Sequence, residues 1–384
     1  MGLAIGLNLL WLGEQAGGVG RYAVELVRAL REVEPESRIT AFVRRGLPPG
    51  LHEIDAGDAV DWVAFPDRLT TPPLHLASEA LALPVLAVAR RLDVVHNPAA
   101  GPPAVVPGVA TVVTMHDLMW LHQRDAWGDR RAQRATRRVQ TQAARRCDRI
   151  VADSQASRDD LITSLGVEAE RVDVVPLGVR EPSVAPTGED ELRGRIGIGP
   201  GPVILCVAQK RPYKNLESLV RCVATLRDIG IQLVLPGAPT SYEEELRRLA
   251  AELLVSDRVH LPPWVSDAEL ERLYRMAACF VLPSRMEGFG LPVLEAMVRG
   301  VPVACSNTWA LPEVAGDAGL LFDPDDQESI NAAVGRLVGD RGLATELGER
   351  GRQRAQRFSW RRTAAGTLAT YRRAIDQRRG ARRR

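Results

Sequence analysis

Glu287-Gly-Phe-Gly-Leu-Pro-Val-Leu-Glu295 is the stretch on which the reading of this chain turns. An apolar run ends at Leu282, Pro283-Ser284 turn the chain, and the quoted string follows. Proline favours the first position of a helix and glycine the position just past its end. Pro292 and Gly300 therefore bracket a helix over Pro292–Arg299. Gly288 and Gly290 lack a Cβ, so the backbone can approach a ligand closely, and the amides of a helix start favour phosphate. Glu295, about a turn into the helix, is placed to accept hydrogen bonds from a ribose diol. Glu287, ahead of the helix, is placed to reach sugar hydroxyls. A lone glutamate at a helix start is ordinary dipole compensation; the full string behind a strand asks for more.

Outward from this segment, short apolar runs alternate with longer amphipathic ones. That alternation predicts parallel sheets with crossover helices. Strands are expected at Cys279–Leu282 and Val301–Cys305 on either side of the quoted helix. Earlier in the same half, strands are expected at Pro202–Val207, Ile231–Leu235 and Arg258–Leu261. Helices are expected at Leu216–Ile229 and Tyr242–Leu254, and a capping box at Ser266-Asp-Ala-Glu269 opens another to Met276. The segment Arg180–Gly201 is rich in proline and glycine and reads as a linker, with a short helix at Glu189–Ile196. Before it the pattern runs once already. Strands are expected at Leu3–Leu9, Ile39–Val43, Asp93–His96, Ala110–Met115, Ile150–Ala152 and Arg171–Val175. Helices are expected at Val19–Val33 and Arg130–Cys147, with Ser154 capping the helix after Ala152.

The fold class is therefore α/β, with two Rossmann-like domains facing across a cleft at the carboxyl ends of both sheets. The expected boundaries are residues 1–182, a linker 183–201, a second domain 202–358, and a C-terminal helix with a basic tail at 359–384.

Other segments carry chemistry. Val207-Ala-Gln-Lys-Arg-Pro-Tyr-Lys-Asn215 leaves the first strand of the second half. Lys210 and Lys214 are the only two lysines among 50 basic residues. A chain that uses arginine elsewhere keeps lysine in one loop, where a mobile point charge suits a diphosphate. Gly17-Gly-Val-Gly20 opens the first long helix. Gly18, Gly20 and Ala23 match a dinucleotide fingerprint, but Trp11–Ala16 intervene after the strand, so a longer phosphate or sugar loop fits better. His116-Asp117 follows the strand Ala110–Met115, where an imidazole can hydrogen-bond a sugar or assist proton transfer; His96 is a weaker candidate. Asp323-Pro-Asp325-Asp326 looks like a metal motif but reads as a turn and helix cap. Ser306-Asn307 and Pro312-Glu313 follow the next strand end and are expected to line the cleft.

The bulk composition limits the function classes. With 384 residues, 45% hydrophobic and a net charge of +2, the chain is globular and lacks the basic field of a nucleic-acid binder. Its five cysteines form no paired motif and read as buried thiols. No secretory signal is expected at the N-terminus, and Glu79 and Pro84 interrupt the apolar stretch Leu76–Ala89. A cytoplasmic protein is expected, with peripheral contact at the inner membrane face if the basic helix and the Arg378–Arg384 tail dock on anionic lipid.

These segments together resemble the family-four retaining glycosyltransferases of the GT-B fold. The likeness rests on Gly17–Tyr22, Thr114–Leu118, Val151–Leu161, Val174–Val179, Gln209–Asn215, Pro283–Gly300 and Leu311–Gly319. The resemblance implies that the second domain holds most of the nucleotide and that the final helix, from about Trp360, crosses back to the first. By carry-over, Glu295 binds ribose, Glu287 the donor sugar, and the amides of Phe289, Gly290 and Leu291 the sugar or diphosphate. Lys214 binds the diphosphate, Gly18 donates its amide to it, and His116 faces the sugar. The family needs no metal or cofactor. Gln209 stands where an arginine often lies, so Arg211 or Lys210 is the candidate second cation.

The implied activity is transfer of a hexose-type sugar from a nucleoside diphosphate to an acceptor hydroxyl on a glycan, lipid-linked sugar or natural product. The Lys-Asn ending of the loop mildly favours GDP-mannose over UDP-sugars. Two alternatives remain at this stage. One is an NADP-dependent oxidoreductase, resting on Gly18, Gly20, Ala23 and Arg44-Arg45. The other is a catalytically silent sugar-nucleotide-binding protein.

Overall fold

A computed structural model describes residues 2–12, 17–44, 60–65, 78–101, 106–123 and 130–382. The chain divides into two compact units. The first comprises Met1–Gly178 with Ser359–Arg384, the second Val179–Phe358.

In the first unit the strands are β1 (Ala4–Asn8), β2 (Arg38–Arg44), β3 (Val60–Phe65), β4 (Val94–Asn97), β5 (Ala110–Met115), β6 (Arg149–Ala152) and β7 (Val172–Val174). They form a seven-stranded sheet in the order β3-β2-β1-β4-β5-β6-β7. Every pairing is parallel. Chain direction across the sheet reverses between β1 and β4, the topological switch point of a doubly wound sheet. The helix Gly17–Val33 turns Tyr22, Ala23, Leu26, Val27 and Leu30 inward, the face its 3.6-residue period predicts. β5 is buried along its whole length, as a parallel strand covered on both faces should be. Ser154 caps the helix Gln155–Leu165 by accepting from the Ser157 amide.

The last helix, Trp360–Arg382, belongs to this unit and packs on Gly17–Val33 and β5. Thr363 anchors its first turn by donating to the Pro176 carbonyl at 2.8 Å. The features that escaped the sequence reading include β3, the short helix Met119–His122, and the helix Leu83–Ala89 that covers Phe42, Phe65 and Val95.

In the second unit the strands are β8 (Val203–Leu205), β9 (Gln232–Val234), β10 (Val259–His260), β11 (Ala277–Leu282), β12 (Val303–Ser306) and β13 (Gly319–Phe322). The six-stranded order is β10-β9-β8-β11-β12-β13, again parallel throughout. β8 and β11 flank its switch point, so the loops leaving these two strands are neighbours. The Ser266–Glu269 capping box is present, opening the helix Asp267–Met276. The helix expected to run to Ile229 stops at Thr225, and a 3-10 turn, Arg227–Ile229, finishes it. The helix Glu189–Ile196 lies in the second unit, where Arg272 donates to the Thr187 carbonyl at 2.7 Å. All five cysteines are buried and reduced.

Candidate functional site

The neighbouring loops at the carboxyl ends of β8 and β11 carry the densest chemistry of the second unit. After β8 the chain makes a 3-10 turn, Pro212–Lys214, and Asn215 adopts a left-handed conformation at φ 56°. Asn215 holds that turn by donating from its amide to the Pro324 carbonyl at 2.8 Å. The Arg285 amide donates to the Tyr213 carbonyl at 2.9 Å and ties the two loops together. This places Lys214 Nζ 2.6 Å from Glu287 Oε1, with both side chains largely buried. Ser284 Oγ donates to the same carboxylate oxygen at 2.8 Å. A half-desolvated ammonium beside a carboxylate is a charge pair held in low dielectric, where it acts more strongly than at the surface.

The helix after this loop runs Leu291–Val298, one residue earlier than its proline suggests, with Gly290 at its N-cap. Gly290 sits at φ 104°, and a Cβ there would lie 2.6 Å from Leu311 Cδ2. Glycine is required on both counts. Phe289 is buried and packs edge-on against Phe358 at 6.0 Å. Glu295 is buried within this helix and accepts from Tyr274 Oη at 2.9 Å. Arg299 lies 4.5 Å from the Tyr274 ring and donates to Glu271, fixing the tyrosine from behind. Tyr274 and Ser284 were missed in the sequence. Ser284 stood three residues before Glu287, whereas Tyr274 gave no local sign.

The two lysines part company. Lys210 is wholly buried. Its ammonium donates to the carbonyls of Gly237 at 2.9 Å and Pro262 at 3.2 Å, and pairs with Glu243 at 2.9 Å. It braces the loops leaving β9 and β10 and does not face solvent. Of the two candidates for second cation, Arg211 is the exposed one; Gln209 beside it is also exposed. The thiols of Cys206 and Cys305 near this cluster are pushed up to about 12 by burial, so neither is a ready nucleophile.

In the first unit, Gly17 at φ 56° opens the first long helix and Gly18 is exposed with open space around it. His116 leaves β5. Its Nδ1 lies 2.6 Å from Asp153 Oδ2 and its Nε2 2.9 Å from the Pro98 carbonyl. Burial works against the charged ring, but the Asp153 carboxylate outweighs it and raises the pKa. The ring therefore holds a proton more readily than a free imidazole. His96, between Thr114 and Tyr371, is fully buried and lowered to about 3, a neutral core imidazole.

Asp326 caps the helix Gln327–Gly339, and Asp323 accepts from the Asp325 amide at 2.9 Å, which makes this segment the expected turn. Ser306 ends β12, buried, and Pro312 and Glu313 open the short helix Leu311–Ala315. Arg45, the second arginine of the oxidoreductase alternative, lies outside the described residues.

Comparison with known proteins gives one answer for both halves. Residues 16–181 match the model of Glycosyltransferase Family 4, and residues 189–354 that of Glycosyl transferases group 1. A D-inositol 3-phosphate glycosyltransferase from Acidothermus cellulolyticus is 31% identical, over 95% of this chain and 88% of that protein. An MMP alpha-(1->4)-mannosyltransferase from Mycolicibacterium hassiacum is 38% identical over 62% of this chain; the match spans only 57% of that protein's length. Among solved structures, Anabaena HepE in complex with UDP-glucose has a TM-score of 0.74 at 18% identity, covering 96% of this chain and all of that one. WaaG, a glycosyltransferase of lipopolysaccharide biosynthesis, has a TM-score of 0.70 at 16% identity, covering 95% of this chain and 98% of that one.

Proposed function

The chain belongs to the group 1 glycosyltransferases of the GT-B fold, and from that premise we propose that it transfers a hexose from a nucleoside diphosphate sugar with retention and without a metal. The observation that carries this reading is the Lys214–Glu287 pair at the switch point of the second sheet, one helix start away from Glu295. In the proposed reaction the bond between the anomeric carbon and the diphosphate oxygen breaks, and the diphosphate leaves with the electron pair. The acceptor hydroxyl oxygen bonds to the same face of that carbon. Its proton passes to the departing phosphate oxygen, so no side-chain base is needed. Lys214, assisted by Arg211 and the amides of Gly290 and Leu291, stabilises the charge that grows on the diphosphate. Glu295 holds the ribose diol and Glu287 the sugar hydroxyls. Gln209 and Phe289 flank the donor; Gly18 and His116 are the first unit's candidate donor-binding residues. No cofactor takes part.

GDP-mannose is the first donor to test and UDP-glucose the second. The mannosyltransferase relative supports the former, and the UDP-glucose complex of HepE the latter. The acceptor is a sugar, a lipid-linked sugar or a natural product, and the inositol phosphate relatives support a small polyol. Among the described residues no helix is long and apolar enough to cross a membrane. Exposed Arg134, Arg137 and Arg138 on the helix Arg130–Arg146 support peripheral contact with anionic lipid in a cytoplasmic protein. Co-sedimentation with anionic vesicles at low and moderate salt tests that contact.

A thermal-shift panel of GDP, UDP and ADP sugars, followed by product analysis with the best one, tests the assignment. A stabilising donor and a product with retained anomeric configuration are expected. Inversion, a requirement for divalent metal, or binding without any transfer or hydrolysis would overturn it.

A further inference from the structure

The first unit holds a charged pair of which the proposed reaction uses only the histidine. Asp153 ends the turn after β6 and is 1% exposed. One oxygen, Oδ2, meets His116 Nδ1 at 2.6 Å, while Oδ1 is buried without a hydrogen-bond partner among the described residues. A carboxylate so placed needs a compensating cation, and His116 is the cation in contact. The other face of the ring supports the same state. Nε2 points at the Pro98 carbonyl, 2.9 Å away, and a carbonyl can only accept. Where the aspartate is ionised both partners accept, and an imidazole facing two acceptors carries a proton on each nitrogen.

Every element packed around the ring agrees. Asp117, next in the chain, adds a second negative charge. Tyr22 meets the ring edge-on at 4.9 Å, and burial pushes its hydroxyl up, so it stays neutral. Its hydroxyl is engaged with Thr114, which also holds His96, and His96 holds Tyr371 of the last helix. His96 is neutral, as described above, and burial raises Tyr371, so neither brings an opposing charge. The ring is also fixed through its backbone: Ser157 donates to the His116 carbonyl at 2.9 Å.

We propose that Asp153 is a positioning residue that holds His116 as a doubly protonated imidazolium, so that the ring serves transfer as a fixed positive charge at the carboxyl end of β5 and not as a proton acceptor. The inference rests on His116 belonging to the transfer site proposed above. Its structural half stands apart from that reading and is tested first.

Nitrogen NMR of histidine-labelled protein reads the protonation of each ring nitrogen directly. The His116 signal among the six histidines is assigned by its loss in His116→Gln. Two protonated nitrogens at about pH 7.5, a unit above the ordinary histidine range, are expected. An unprotonated Nδ1 at that pH would overturn the proposal, whether or not the protein transfers sugar. The functional half is read in Asp153→Asn. With the carboxylate gone, only the Pro98 carbonyl and Asp117 oppose burial, and the ring loses its proton at a lower pH than in the wild type. Turnover at about pH 8 should fall roughly 100-fold, the low end of the range for a lost charge-stabilising group. It should recover several-fold as pH is lowered, with donor KM little changed. Asp153→Glu should restore a flat profile. A wild-type kcat and pH profile in Asp153→Asn would overturn the functional half, and should that variant not fold, the wild-type NMR still decides the protonation state.

Discussion

Lys214 Nζ and Glu287 Oε1 stand 2.6 Å apart, although 73 residues separate them in the chain. The ammonium lies at the start of the phosphate-favouring loop pair and is largely buried, while its main charge partner keeps a second donor in Ser284. Lys214→Ala should therefore lower kcat by about 10²- to 10³-fold, the range for losing one preorganised charge-stabilising group. Stability should fall less than in Lys210→Ala, because Glu287 keeps the Ser284 hydrogen bond and its side chain is 11% exposed. Initial rates and melting temperature measured on the same preparation check this. Near-normal turnover would remove Lys214 from the mechanism.

Lys210 should behave in the opposite way. Its buried ammonium satisfies two carbonyls and Glu243. Removing one partner of a buried charge network costs about 3–5 kcal/mol. Lys210→Ala should drop the melting temperature steeply while the fraction still folded keeps most of its turnover. If the two lysine variants gave the same pattern of lost stability and lost rate, the distinction between brace and site would fail.

That distinction shows where the sequence stops being legible. Both lysines sit in one polar loop, and nothing local separates them. Only the order β10-β9-β8-β11 brings the Gly237 and Pro262 carbonyls over Lys210 and Glu287 over Lys214. Local signals were read well where local physics sets the structure. Gly188 and Gly197 bracket the helix Glu189–Ile196, Ser266 and Glu269 make a capping box, and the fully buried β5 begins and ends where expected. β3 was missed because it is an edge strand, paired on one side only, with Asp61 and Ala64 exposed. Glu287 and Glu295 could be picked from their spacing on a helix start. Tyr274 and Asp153 could not, because each acts on a site residue from a different element.

Glu79 offers a test of stability against pH. It is 2% exposed, and burial pushes its carboxyl up to about 7 from 4.5, against the smaller opposing effects of Asn8 and Arg44. Between those values the folded chain keeps a proton that the unfolded chain has released. Stability from this group is thus complete below 4.5 and is lost as pH rises through about 7. Glu79→Gln should stabilise the protein at about pH 8 by at most about 3 kcal/mol, and by much less at about pH 5. Thermal melts of both proteins at the two pH values check this. Equal effects at both would show that the carboxyl does not titrate in that window.

Gly290 carries the helix start that the proposed mechanism uses. At φ 104° an L-residue is strained, and its Cβ would press on Leu311 Cδ2 at 2.6 Å. Backbone strain of this kind costs about 1–3 kcal/mol, which in a unit of this size lowers the melting temperature by about 2–4 °C per kcal/mol. Gly290→Ala should show that loss together with weaker donor binding, because relaxing φ turns the amides of Gly290 and Leu291 away from the diphosphate. Leu311→Ala in the same background removes the steric contact and leaves the backbone strain. The double variant should therefore keep its binding defect even if part of the glycine-to-alanine stability loss is relieved. Donor affinity by calorimetry separates the two contributions. Wild-type affinity in Gly290→Ala would mean that the diphosphate is held by side chains alone.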